Sequence, residues 1–165
     1  LEKIMKEFSI ARRATLLLSV ALLTACASGV KLDDVAGKGG SGGTDYSSQP
    51  WNDPKSPLFK RSVYFDFDSY TVKSEYQATL QAHANYLKAN KDRKIKIEGN
   101  TDERGTTEYN LALGQRRSEA VRKSLSLLGV PDSQMEAVSF GKEKPKAQGS
   151  NEAAWQENRR ADIAY

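Results

Sequence analysis

Asp102 and Arg117, fifteen positions apart, are the two charged residues whose placement is hardest to explain as ordinary surface. Asp102 lies in a polar run, Gly99-Asn100-Thr101-Asp102-Glu103-Arg104-Gly105, between an alternating apolar segment and a long helix-periodic one. The end of a strand feeding a helix N-terminus is a common ligand position. Arg117 falls on the stripe that the helix should bury: Leu113, position 117, Val121, Leu125 and Leu128. A guanidinium on a core-facing line needs an anion within reach, or its burial is costly. Asn110 lies on the same line two turns earlier, whereas Arg116 points off it and reads as solvated. Asp102 can meet Arg117 across the crevice, which puts one negative and one positive group at one mouth. A carboxylate takes an ammonium and a guanidinium takes a carboxylate, often bidentately. The pattern predicts a small, amino-acid-like zwitterion as ligand. The plainer alternative is that Arg117 pairs with a structural acid.

The elements that must hold these residues can be read from periodicity. Ser62–Asp68 alternates, with Val63, Phe65 and Phe67 on one face, and reads as a first strand. A helix is expected from about Lys73 to Ala89, with Tyr76, Leu80, Ala84 and Leu87 as its apolar stripe. Lys94–Gly99 alternates again as a second strand. A second helix runs from about Thr107 to Leu128 and stops at Gly129, with Pro131 beyond. Met135–Phe140 and Arg160–Tyr165 read as two further strands, separated by a polar loop with a helical turn near Glu152–Glu157. The order β-α-β-α-β-β predicts an α+β two-layer sandwich, with two main helices on one face of a mixed four-stranded sheet. No internal repeat is visible.

Composition narrows the chemistry. The chain has 165 residues, with 38% hydrophobic and 28% charged, which suits one soluble domain plus accessories. One Cys and one His exclude an internal disulfide, a Cys-based zinc site and a His-pair metal site. No metal or cofactor is expected. A nucleophilic triad would have to run through His83, which sits at helical spacing between Leu80 and Leu87 and reads as a packed structural residue. The net charge is +4, but Lys3, Lys6, Arg12 and Arg13 against Glu2 and Glu7 put half of that surplus in residues 1–25. The remainder shows no aromatic-basic interleaving, so nucleic acid is not expected as a partner. A glycan-cleaving enzyme using Glu98, Asp102 or Glu103 as an acid/base pair is the rival reading. The polar loops look too short to line a glycan groove.

The N-terminal segment carries its own signal. Arg12-Arg13 precedes a short apolar stretch and then Leu23-Thr24-Ala25-Cys26, which resembles a bacterial lipobox. Residues 1–25 therefore read as a lipoprotein signal and Cys26 as the lipidated residue. Ala27, rather than Asp, follows it and favours the outer membrane. Met5-Lys6 reads as the natural start, with residues 1–4 an extension. Residues 26–60 read as lipidated Cys and tether: Gly37–Gly43 is linker-like by composition, and Pro50, Pro54 and Pro57 stiffen the second half. The domain is expected over residues 61–165. Trp51 and Trp155 fall in loop regions, and Lys142–Lys146 reads as a solvated turn.

Thr101-Asp102-Glu103-Arg104-Gly105, Tyr109-Asn110, Leu113, Arg116-Arg117, Val121, Gly129-Val130 and Asn158-Arg159-Arg160 resemble the OmpA-like peptidoglycan-binding domain family. Val63–Asp68, Gly141–Pro145 and the lipobox resemble its lipid-anchored, peptidoglycan-associated branch. The resemblance implies that Asp102 and Arg117 grip the free amino-carboxylate end of meso-diaminopimelate in the peptidoglycan stem peptide. It implies that the backbone at Phe67-Asp68 helps hold the carboxylate. Thr101, Asn110 and Leu113 are implied to shape the pocket, with Asn158 and Arg159 in support at its border. It also implies a non-enzymatic outer-membrane lipoprotein that faces the periplasm. TolB and the other Tol-system proteins are the implied partners, in envelope integrity and cell division.

Overall fold

Ile95 and Ile97 are buried while Lys96 between them is exposed, and such alternation decides which face of the sheet the helices cover. The computed structural model describes residues 49–165. Its strands are β1 (Ser62–Tyr64), β2 (Ile95–Asn100), β3 (Met135–Gly141) and β4 (Arg160–Ala164). Its α-helices are α1 (Gln77–Ala89), α2 (Thr107–Leu127) and α3 (Glu152–Asn158). The strand order is β1-β4-β2-β3. β4 runs antiparallel to both neighbours, with Val63 opposite Ala161 and Ile97 opposite Ile163. β2 and β3 are parallel, joined by the crossover through α2. Val63, Ile95, Ile97, Ala161 and Ile163 form the inner face of the sheet. Against it pack Leu80, Ala84 and Leu87 of α1 and Val121 and Leu125 of α2. On the other face Arg160 Nε binds Asp162 (2.8 Å), Ser62 Oγ donates to Asp162 (2.6 Å) and Lys144 meets Glu98 (2.5 Å). This is the α+β sandwich expected from sequence, with the turn at Glu152 formed as a short helix.

Three glycines seat α2 on the end of β2. A Cβ on Gly99 would lie 1.8 Å from the Gly114 carbonyl oxygen, and one on Gly114 would lie 2.3 Å from Ser139 Oγ. Gly141, at φ 52°, passes just under the backbone of Leu111. Only residues without side chains allow helix and strands this near. Thr106 caps α2, its Oγ1 accepting from Tyr109 N at 3.2 Å. The helix ends before Gly129, whose φ of 90° turns the chain so that Val130 N donates to Leu125 O (3.1 Å).

The structure corrects three expectations. Strand 1 stops at Tyr64: Phe65 is buried, but Phe67 is 62% exposed and faces away from the core. Asp68 takes φ 53°, and Ser69 N folds back to Asp66 O (3.2 Å), so the alternation ends in a turn. The first helix begins with a 3-10 turn over Ser74–Tyr76 before α1 proper. Residues 50–60 are not tether: Trp51 (7% exposed) and Leu58 are buried, and Trp51 stacks on Tyr165 with centroids 4.3 Å apart. Cys26, the signal-like segment and Gly37–Gly43 lie outside the described residues. Among the described residues, no helix is long and apolar enough to cross a membrane.

Candidate functional site

The N-terminal half of α2, the loop after β2 and the turn after β1 enclose a cleft of about 230 Å³. Phe67, Asp68, Thr101, Asp102, Asn110, Leu113 and Arg117 all line it. These are the seven residues that the family resemblance implies as the ligand set. Arg104, Gly105 and Tyr109 line it as well.

Arg117 forms the floor and is wholly buried, at 0% exposure. Its donors go to backbone carbonyls: Nε to Ser69 (2.8 Å), Nη1 to Asn100 (2.8 Å) and Nη2 to Asp66 (3.2 Å). The guanidinium also lies over Phe65, 5.2 Å from the ring centroid. The expected meeting with Asp102 does not occur, because the three carbonyls converge on the planar donor set first. Arg117 therefore ties the turn after β1 to the end of β2. Burial lowers its pKa to about 10, offset in part by Asp102, so it is a cation at neutral pH. No carboxylate among the described residues forms a salt bridge with it.

Asp102 is buried on the wall and is held by other arginines. Arg104 reaches it with Nε (3.1 Å to Oδ1) and Nη2 (2.6 Å to Oδ2), and Arg159 Nη1 stands 3.5 Å from Oδ2. Burial pushes the Asp102 carboxyl up, but hydrogen bonds and charge from Arg104, and then Arg159, pull it net below the usual carboxylate range. Asn110 braces the loop by donating to the carbonyls of Arg104 (2.8 Å) and Thr106 (3.0 Å). Leu113 supplies an apolar wall. Thr101 Oγ1 is buried with no hydrogen-bond partner among the described residues. Tyr109 donates its hydroxyl to Asp68. Neither the Phe67 nor the Asp68 backbone N–H has an acceptor among the described residues.

The two supporting residues act at different places. Arg159 is part of the site's second layer: it touches Asp102 and is itself fixed by Glu152 (2.5 Å), Gln156 (2.5 Å) and Phe65 O (3.2 Å). Asn158 instead pins the loop before α3, accepting from Lys146 N (2.7 Å) and Ala147 N (2.9 Å). Arg104 is the residue that sequence reasoning passed over. Its guanidinium lies between two aromatic rings, 4.2 Å from Phe67 and 4.0 Å from Trp155. Trp155, taken for a loop residue, belongs to α3 and donates Nε1 to Glu103 (3.0 Å). A charged residue two positions after Asp102 gave no periodic signal.

The carboxylates do not form an acid/base pair. Glu98 is engaged by Lys144 on the outer face of the sheet. Glu103 is held below its usual range by hydrogen bonds from Ser150 and Trp155. A general acid must keep its proton near neutral pH, and Asp102 and Glu103 are both shifted the other way. No group of three or more His, Cys, Asp or Glu among the described residues is arranged to hold a metal.

Comparison with known proteins places this arrangement. The OmpA family model matches residues 64–159, more than half of the chain. The chain belongs to the OmpA family. The match starts in β1 and ends at Arg159, so it contains every lining residue of the cleft. The peptidoglycan-associated lipoprotein of Pasteurella multocida is 48% identical over 147 residues, covering 89% of this chain and 92% of that one. The one from Haemophilus influenzae is 46% identical over 152 residues, with the same coverage of both chains. Neither name is that of an enzyme. The crystal structure of the peptidoglycan-associated lipoprotein from Burkholderia pseudomallei is 71% identical, with a TM-score of 0.69. It covers 70% of this chain and 98% of its own. A chain of the OmpA-family domain's size therefore holds this fold unaided. The C-terminal domain of Helicobacter pylori MotB, at 22% identity and TM-score 0.57 over 62% of this chain and 81% of that one, shows the fold alone.

Proposed function

We propose that this domain is a non-catalytic wall-binding module that holds the peptidoglycan stem peptide by the free amino-carboxylate end of meso-diaminopimelate. One observation carries the reading: a wholly buried guanidinium, without a carboxylate partner among the described residues, floors a cleft whose wall carries an ionised carboxylate. Such a cation favours an incoming anion, because the ligand carboxylate supplies the counter-charge that the fold omits. Asp102 takes the ligand ammonium. The free N–H groups of Phe67 and Asp68 and the unpaired Thr101 hydroxyl supply further polar contacts, and Leu113 meets the aliphatic stem. The names of the lipoprotein relatives support the same ligand class. Calorimetric titration of residues 49–165 with a muropeptide carrying meso-diaminopimelate, against one carrying Lys there, tests it. Binding of the first alone is expected, because Lys lacks the second carboxylate. Equal binding of both would refute a zwitterion site.

We infer the wider role from the N-terminal sequence signals and the family resemblance, with the relatives' names supporting a lipoprotein. We place Cys26 under a lipid anchor in the outer membrane, with residues 27–48 as tether and the domain facing the periplasm. In this reading the protein joins the outer membrane to the wall and works with TolB in the Tol system during division. Cys26→Ser should move it from the membrane to the soluble fraction. Retention of that variant in the membrane would contradict the anchor.

A further inference from the structure

Asp102, the proposed seat of the ligand ammonium, has no acceptor position left. Oδ1 takes both the backbone N–H (3.2 Å) and Nε–H (3.1 Å) of Arg104. Oδ2 takes Arg104 Nη2 (2.6 Å) and Arg159 Nη1 (3.5 Å). An ionised carboxylate offers about four lone-pair positions. An ammonium can join it only by displacing a donor.

The two arginines differ in how firmly they are held. The Arg159 side chain is 3% exposed and is tied to Glu152, Gln156 and Phe65 O as well as Asp102. The Arg104 side chain is 34% exposed, and Asp102 is its one salt-bridge partner among the described residues. Its other contacts are the faces of Phe67 and Trp155, which a guanidinium can slide across without breaking a directional bond. Gly105 follows it at φ 92°, and Glu103 and Glu152 are within electrostatic reach of its charge. Arg104 can therefore leave Asp102 and still find carboxylates, whereas Arg159 is fixed in place by its three other partners.

We propose that Arg104 is a built-in occupant of the ammonium subsite, bound to Asp102 when the cleft is empty and displaced toward Glu103 and Glu152 by the ligand's ammonium. This inference rests on the proposed wall-binding function and adds a regulating residue to that site. Two consequences follow. Affinity is held below what an open carboxylate would give, since each binding event breaks an arginine pair. A ligand bringing only a carboxylate leaves Arg104 in place, so the pair also enforces the need for a zwitterion.

The test uses residues 49–165, wild type and Arg104→Gln, with the meso-diaminopimelate muropeptide. Gln keeps the backbone N–H to Asp102 but removes the competing cation. Arg104→Gln is expected to bind about three- to tenfold tighter than wild type. In wild type, the Arg104 Nε–H resonance, shifted by the two rings, should move toward the free-arginine position as the cleft fills. Equal or weaker binding by Arg104→Gln, or an Arg104 resonance that stays put at saturation, would overturn the proposal while leaving the wall-binding reading intact. Binding by neither protein would remove both. The resonance is read on the wild type, so loss of folding in the variant cannot mask the answer.

Discussion

Arg117, proposed to grip the ligand, has a structural part in this fold. Its three hydrogen bonds hold carbonyls at Asp66, Ser69 and Asn100, two segments that no strand pairing connects. Lys keeps the charge but cannot span three separated acceptors from one ammonium. At least one buried carbonyl would lose its partner, at roughly 1–3 kcal/mol each. Arg117→Lys is therefore expected to lower the melting temperature and to abolish muropeptide binding together; an unchanged melting temperature would show that the carbonyls are satisfied otherwise. Asp102 is the opposite case. Removing it leaves Arg159 with Glu152 and Gln156, and Arg104 at the surface on its rings. Asp102→Ala should cost about 1–3 kcal/mol of stability, since the buried Arg159 Nη1 loses this partner, while eliminating binding, measured by thermal melts beside calorimetry. The importance of Asp102 and Arg117 was legible in the chain because both break a pattern: a charge on a buried stripe, and an acid at a strand-to-helix junction. Their partners were not legible, since carbonyl acceptors and the reach of Arg104 depend on how distant turns come together.

At the scale of elements, the cleft exists because α2 lies unusually near β2. In an exposed helix, Gly→Ala stabilises by up to about 1 kcal/mol through propensity. At Gly114 the new Cβ would meet Ser139 Oγ at 2.3 Å and the Gly99 carbonyl oxygen at 2.9 Å, so overpacking of about 1–3 kcal/mol outweighs that gain. At Gly99 the clash is with the Gly114 carbonyl itself, at 1.8 Å, and backbone cannot rotate aside. Gly114→Ala should lower the unfolding midpoint modestly and Gly99→Ala more. Both should weaken ligand binding, because the helix that carries Asn110, Leu113 and Arg117 is levered off the loop that carries Asp102. A stabilised Gly114→Ala would mean that the contact has slack. The strands and helices themselves were readable from period two and period 3.6 to within a few residues. The helix-to-strand approach was not, because a lone glycine inside a helical pattern has no spacing signature. The early end of β1 was hidden too: Phe67 continues the apolar alternation in sequence, but it sits in the turn closed by Ser69 N and Asp66 O and is exposed.

At the scale of the whole domain, the segment before β1 matters more than its proline-rich composition suggests. Trp51 stacks on Tyr165 and packs edge-on with Tyr86, with the Arg93 guanidinium 5.0 Å from its ring centroid. Lys60 O is bound by His83 Nε2 (2.9 Å), and His83 Nδ1 meets the Tyr165 hydroxyl (2.6 Å). Nε2 must carry the proton to reach a carbonyl, and burial lowers the pKa, so at neutral pH the ring is neutral and Nδ1 accepts from the tyrosine. Both ends of the strap thus close on α1 and on Tyr165. Trp51→Ala should cost about 3–5 kcal/mol, lowering the melting temperature by roughly 10 °C or more. It should leave muropeptide affinity unchanged, because Trp51 shares no partner with the cleft. The His83 latch adds a pH dependence whose sign can be worked out. Burial lowers its pKa below the unfolded value of about 6.5, so the unfolded chain binds the proton more readily. Stability should therefore be level above about pH 6.5 and fall as the solution is acidified below it, down to the lowered folded value. Carboxylates such as Asp102 act only at lower pH, since its folded pKa is depressed and its contribution is lost as pH falls through that value. Chemical denaturation of wild type and His83→Gln between pH 7.5 and about 5 separates the two. The wild type should lose stability over that range and His83→Gln should be flat from a lower starting point, whereas matching slopes would assign the acid response to another group.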